Sequence, residues 1–284
     1  MNLLTTEDLK NEENRKLFKH ISVVDRIESY LQDTNLKKTD RTVTFRLGSS
    51  WRPKGLFAAS MIGEMSGKTL CKRYPMGCAR KLYFAYNKVE GEGFWEPVQR
   101  RRLDTGTAIH ALIQSYLADY ANEHRETDHF ECEVIVNPAN NEVADKYDLT
   151  GHVDGVYQLQ TPDGPVRFGI EFKTISDAGF KATNGPHAEH IMQGTVYQKC
   201  LDLPVMLFVY WNINDCSLAE YIQPFDNERW EAIAEKLNMV RACAMREELP
   251  EGEYSYNCRT CLYRGICKPP RLSSRPNPAL FKHR

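Results

Sequence analysis

The sequence predicts an α/β fold, a mixed central sheet flanked by helices, whose N- and C-terminal segments are drawn together at one place. Two observations carry that prediction. Hydrophobic periodicity changes along the chain in the order helix, three strands, helix, two strands, helix. Three cysteines crowd near the C-terminus as C-x2-C-x5-C, with further cysteines far upstream.

Residues 1 to about 40 read as a polar helical lead-in, with VVDRIESYLQ as the amphipathic stretch. TVTFRL reads as a short strand and SSWRPKG as a loop. From Leu56 to Tyr86 the pattern is mainly helical, broken at YPMG. RRLDTGTAIHALIQSYLADYANEH is the clearest early helix, because Ile109, Leu112, Ile113, Tyr116, Leu117 and Tyr120 fall on one face. FECEVIV alternates as a half-buried strand does, and LTGHVDGVYQL and VRFGIEFKTI are β-rich runs separated by the turn signal TPDG. A helix from about His187 to Leu201 comes next, followed by strands at MLFVYWNI and AEYIQPF. Asn227 to Leu249 reads as a long helix opened by an Asp226 or Asn227 cap. The tail is basic and contains prolines, and its last ten or so residues are expected to be loosely ordered. The chain shows no internal repeat. It divides into an extension over residues 1–60, a core over 61–268 and a tail over 269–284.

With 284 residues, 42% hydrophobic and 26% charged, the chain is long enough to bury one large core. It contains no apolar run of about 18 residues, which excludes an ordinary membrane helix. Its acidic, polar start lacks the features of a signal peptide, so a cytoplasmic protein is expected. Net charge is −1, yet residues 65–89 carry six basic side chains and no acid, and residues 254–284 carry seven and no acid. Such a split can present a positive surface to phosphates within a neutral total.

Asp154, in GHVDGVY, is followed seventeen residues later by Glu171-Phe172-Lys173. Residues two apart on a strand share a face, so Glu171 and Lys173 project together, across a hairpin from Asp154. Two converging carboxylates suit a hard cation such as Mg2+ or Mn2+. A neighbouring lysine can orient the water that attacks a phosphodiester. The apolar residues around both acids (Val153, Val156, Ile170 and Phe172) place these charges at the edge of a core. His110 on the early helix is a candidate third ligand. Gln193 and Tyr197, four apart on a later helix, share a face on which an amide and a phenol could hold a phosphate or a base.

Taken in order, G-T-A-I-H110, G-H-V-D154-G-V, E171-F-K173-T and Q193-x-x-x-Y197 resemble the RecB-like branch of the PD-(D/E)XK nucleases, over roughly residues 68–268. The resemblance implies a restriction-endonuclease-like core and a DNA substrate. It implies metal binding by His110, Asp154, Glu171 and the Phe172 carbonyl, catalysis by Asp154, Glu171 and Lys173, and substrate contacts by Gln193 and Tyr197. An exonuclease is implied more than an endonuclease. A helicase, recombinase or other replication protein is the kind of protein partner that fits.

Cys258, Cys261 and Cys267 need a fourth thiolate to complete a zinc or [4Fe-4S] site. Cys78, in G-C-A-R-K-L-Y-F, is the first candidate and Cys71 the second. The pattern resembles the iron–sulfur RecB-like nucleases, including the CRISPR-associated and AddB-type enzymes, which implies a [4Fe-4S] cluster ahead of zinc. A cluster joining Cys78 to Cys258 would close a loop of 180 residues. By loop entropy such a closure stabilises the fold by on the order of 5 kcal/mol. Arg80 beside this site is a candidate substrate contact.

GEMSGKT, Gly63 to Thr69, has three residues between its first glycine and GKT where a phosphate-cradling loop needs four, so ATPase chemistry is not expected. The H-x-x-H pair His187 and His190 lacks the glutamate and spacing of a zinc protease and reads as the start of the Gln193 helix. The alternative function is a catalytically silent DNA-binding adaptor that retains the nuclease fold and cluster.

Overall fold

A computed structural model describes residues 21–34, 42–44, 55–62, 77–91, 97–161, 164–252, 256–259 and 261–267. The expectations for residues 1–20, Phe45 to Leu47, the P-loop-like segment, Cys71, the tip of the TPDG turn and the tail lie outside these residues.

In chain order the elements are α1 (Val23–Thr34), β1 (Phe57–Ala58), α2 (Ala59–Ile62), α3 (Ala79–Tyr86), α4 (Pro97–Glu123), β2 (Asp128–Val136), α5 (Glu142–Tyr147), β3 (Leu149–Thr161), β4 (Gly164–Ile175), α6 (Asp177–Ala182), α7 (Ala188–Leu201), β5 (Val205–Asn212), β6 (Leu218–Pro224), α8 (Asn227–Met245) and α9 (Arg264–Cys267), with a 3-10 turn at Tyr256–Arg259 before α9. Among the described residues the sheet has six strands in the order β1-β3-β4-β5-β6, with β2 also on β3. β4 and β5 run parallel and β1 runs parallel to β3, whereas the other pairs are antiparallel. The sheet is therefore mixed, as expected.

The sheet is the middle of three layers. β5, between β4 and the edge strand β6, alternates between two cores: Val205, Leu207 and Val209 pack on one face, Met206, Phe208 and Tyr210 on the other. The first face is covered by α1 and α4 through Ile27, Ile113 and Leu117. The second is covered by α2, α3, α7 and α8, through Ile62, Leu82, Val196, Trp230 and Leu237 among others. Burial on both faces explains why β5 reads as an unbroken apolar run. α1 is fixed by Glu220, whose carboxylate accepts the Val23 and Val24 amides at 2.9 and 3.1 Å, satisfying N–H groups that a helix start leaves unpaired.

Several boundaries differ from the sequence reading. Phe57 and Ala58 form a strand where a helix is expected, because they pair with Leu149 and Thr150. Residues 42–44, the first half of the expected TVTFRL strand, carry no regular structure. α4 begins at Pro97, favoured at a first helical position, four residues before the expected start. α8 ends at Met245 and not at Leu249. α5 and α6 are additional short helices, capped by Asn141 and Ser176. No helix among the described residues is long and apolar enough to cross a membrane.

Candidate active site

The site is built where two strand pairings break. β3 and β4 pair from Thr161 and Gly164 up to Gly155 and Ile170, and the next pair in register would set Asp154 against Glu171. There Asp154 Oδ2 accepts the Phe172 backbone N–H at 2.7 Å, so a side chain replaces the ladder bond. On β2, Glu133 faces the same point. Cys132 and Val134 pair with Gly155 and Val153, but Glu133 takes a left-handed φ of 54° and leaves the ladder. Strain of this kind persists only where surrounding structure holds it.

Alternation along β4 sends Phe168, Ile170 and Phe172 into the α1/α4 core, which puts Glu171 and Lys173 on the opposite face toward α7. There Lys173 Nζ donates to Glu171 Oε1 at 2.7 Å and to Gln193 Oε1 at 3.2 Å. Gln193 Nε2 donates to Glu171 Oε1 at 2.8 Å and to Tyr197 Oη at 3.3 Å. From α4, His110 Nδ1 stands 3.5 Å from Asp154 Oδ1. Glu171 is 2% exposed, and its Oε2 is buried without a hydrogen-bond partner. Leaving a buried carboxylate oxygen unpaired is unfavourable, and an oxygen-seeking cation is a partner that would satisfy it.

Burial raises the pKa of the Glu171 carboxyl to about 7, with the like charge of Asp154 adding to it and Lys173 opposing. Asp154 moves the other way. Burial alone would raise it, but His110, Lys173 and the Phe172 amide together hold it below the usual carboxylate range. Burial disfavours the charged forms of His110 and Lys173, yet their acidic neighbours outweigh it and both are raised. Two carboxyls pushed apart beside a retained ammonium mark a site with divided roles.

The structure thus gathers His110, Asp154, Glu171, Phe172, Lys173 and Gln193. Gln193 and Tyr197 are 8% and 2% exposed and face inward, where Gln193 holds Glu171 and Lys173 in place. Tyr197 fits over Gly151, where an added Cβ would meet its ring at 2.8 Å. Arg80 is engaged elsewhere: its Nε donates to the Pro250 carbonyl at 2.8 Å and its Nη1 to the Cys267 carbonyl at 3.0 Å. It ties α3 to the C-terminal segment.

Cys78 stands at the N-cap position of α3, and Cys261 and Cys267 lie beside that helix. Arg80 Nη1 is 3.9 Å from Cys267 Sγ, and Phe84 meets Tyr263 with ring centroids 5.1 Å apart. Burial raises the Cys261 thiol; the Tyr263 amide and Lys81 oppose this, while Cys258 and Cys78 add to it. Lys81 is itself lowered by burial against the pull of Cys261. The two distant cysteine segments therefore meet, as the sequence predicts.

Two features escaped the sequence reading. Glu133 is held by Gln114, whose Nε2 donates to it and to the Asp154 carbonyl, both at 2.8 Å. Gln114 lies one turn after His110, a spacing that could have pointed to it. Arg100, Arg101 and Arg102 are exposed near the start of α4. They lie one to two turns before Gly106, where an added Cβ would be 3.3 Å from Thr174 Oγ1, so α4 approaches β4 closely beside Lys173. Three consecutive arginines ahead of His110 were the available signal.

Such an arrangement can bind a hard cation and hold a water beside an ammonium group. No curated protein matches the chain. Solved structures that match include SSO0001, at 16% identity and a TM-score of 0.45, covering 90% of this chain and 98% of that one. An alkaline exonuclease, LHK-Exo, from Laribacter hongkongensis matches at 14% identity and a TM-score of 0.46, covering 68% of this chain and 89% of its own. The same exonuclease in complex with dAMP matches at 16% identity and 0.45, with the same coverage. The PD-(D/E)XK nuclease superfamily model matches residues 114–268, more than half of the chain, including Asp154, Glu171, Lys173 and Gln193. With the broken β3–β4 ladder and its acids, that match identifies the chain as a member of the PD-(D/E)XK nuclease superfamily.

Proposed function

We propose that this chain is a metal-dependent deoxyribonuclease that hydrolyses phosphodiester bonds, acting as an exonuclease on single-stranded DNA or duplex ends. The observation that carries this reading is the buried, unpartnered Glu171 Oε2, in a pocket that also holds Asp154 and Lys173. Carboxylate oxygens, the Phe172 carbonyl and the His110 imidazole form a donor set suited to Mg2+ or Mn2+. When bound, one or two such ions would polarise the scissile phosphate and acidify the attacking water.

In this reading the chain's own residues do the rest. Lys173 positions the water through its ammonium, while Gln193 fixes both Lys173 and Glu171. Tyr197 supports Gln193 from below. Asp154, ionised beside His110, keeps negative charge in the pocket across the neutral range. Glu133 provides an outer carboxylate on the strand opposite. Arg100 to Arg102 offer phosphate contacts along the approach to the site. The cysteines Cys78, Cys258, Cys261 and Cys267 would hold a [4Fe-4S] cluster between α3 and the C-terminal segment, and any unwinding of duplex would come from a helicase or recombinase partner.

A comparison of linear and covalently closed circular single-stranded DNA with Mn2+ separates the modes of attack. An exonuclease degrades the linear form and spares the circle. Rapid loss of the circle would replace the exonuclease reading by an endonuclease. Tight binding of both without cleavage would favour the adaptor.

A further inference from the structure

The His187–His190 pair that the nuclease reading leaves unused sits on the helix that carries Gln193. His187 stands at the N-cap position of α7 without a side-chain capping bond, and Glu189 and His190 lie in its first turn. One nitrogen of each histidine and one Glu189 oxygen lie within 4.8 Å of one another, a grouping of three such donors that among the described residues occurs here. His190 Nε2 is 3.9 Å from Glu189 Oε1. From this cluster we propose a second metal site, in which His187, Glu189 and His190 hold a divalent transition-metal ion of the zinc, cobalt or nickel type.

Two imidazoles and one carboxylate form the donor set of open zinc sites and of facial-triad sites, and they are softer than the oxygen-rich pocket around Asp154. The surroundings orient both rings as outer partners of a metal site do. Thr183 Oγ1 donates to the Gly179 carbonyl at 2.8 Å, so its contact of 3.1 Å with His187 Nε2 is one in which the ring N–H donates to the hydroxyl. His187 Nδ1 then keeps its lone pair. His190 Nδ1 lies 2.7 Å from Tyr210 Oη, which also accepts the His187 backbone N–H at 2.9 Å. With a cation on Nε2, the His190 Nδ1–H donates to that same oxygen. The rings lie nearly parallel at 12°, with centroids 5.2 Å apart, while Glu189 is exposed and can swing onto an ion from solvent. The positive end of α7 and Lys173 oppose a cation here, but the Lys173 charge is balanced by Glu171 at 2.7 Å.

Metal binding here can be read without any cleavage assay. The full-length protein is dialysed to equilibrium against Co2+, bound metal is counted and the visible and near-ultraviolet spectrum recorded, for wild type, His187→Gln/His190→Gln and Asp154→Asn. The double-histidine variant is expected to bind one equivalent fewer, losing ligand-field bands without thiolate charge transfer, and Asp154→Asn is expected to keep that equivalent. Equal binding and an unchanged spectrum in the double variant would overturn the site. So would a lost equivalent that carries thiolate charge transfer, because the ion would then belong to the cysteines. If circular dichroism shows the double variant unfolded, the exposed Glu189→Gln decides. Affinity should fall roughly tenfold or more, and unchanged affinity would overturn the assignment.

Discussion

Glu171→Gln should stabilise the metal-free protein while abolishing its activity. The unfolded chain ionises Glu171 near 4.5, whereas the folded chain does so at about 7. Between those values the folded state holds a proton that the unfolded state has released, so the contribution of this residue to stability falls as pH rises through the window. Integrated up to pH 8, only about one pH unit above the folded value, the difference corresponds to a cost of about 3 kcal/mol, because burial and Asp154 both oppose the charge. Glutamine removes that cost and can still accept from Lys173 and Gln193 through its carbonyl. Urea unfolding in EDTA at about pH 4 and pH 8 measures the difference. The variant should gain up to about 3 kcal/mol at pH 8 and nearly nothing at pH 4. Added Mn2+ should then stabilise wild type and leave the variant unmoved. A variant as destabilised at pH 8 as at pH 4 would refute the claim that burial and Asp154 outweigh the Lys173 pairing and hold Glu171 back from ionising in the fold.

Gly151→Ala places a Cβ 2.8 Å from the Tyr197 ring and 3.2 Å from Ala59 Cβ, so it should lower stability by about 1–3 kcal/mol in thermal or urea unfolding. It should also slow cleavage, through loss of the Tyr197 support under Gln193. Glu133→Gln keeps the Gln114 contact but removes a charge from the pocket rim, and should raise the Mn2+ concentration needed for half-maximal cleavage with the folding midpoint unchanged. Cys261→Ser should lose the brown colour of an iron–sulfur cluster and on the order of 5 kcal/mol of stability. A colourless wild type carrying stoichiometric zinc would replace the cluster while leaving the nuclease reading in place.

Much of the fold was legible because burial is written as period. The unbroken apolar run of β5 and the one-sided face of α4 each point to a single kind of element. Asp154, Glu171 and Lys173 were legible because strand alternation alone puts the last two together, and a hairpin brings the first across from them. What stayed hidden depends on partners distant in sequence. Glu220 fixes α1 from 197 residues away, and Arg80 reaches Cys267 across 187, so local pattern could not reveal either contact. The left-handed Glu133 escaped because alternation assigns a face to every strand residue and cannot register one that leaves the ladder. The inward turn of Tyr197 follows from Gly151, whose missing side chain makes room for the ring, a relation visible only in three dimensions.

Metal-dependent cleavage is tested most directly by digestion of end-labelled single-stranded DNA with Mn2+ by anaerobically purified wild type and Asp154→Ala. Progressive shortening by wild type and none by the variant is the expected result, with both proteins folded. Equal shortening by the two proteins would contradict it, because the acid that binds His110 and the Phe172 amide would then have no part in the chemistry.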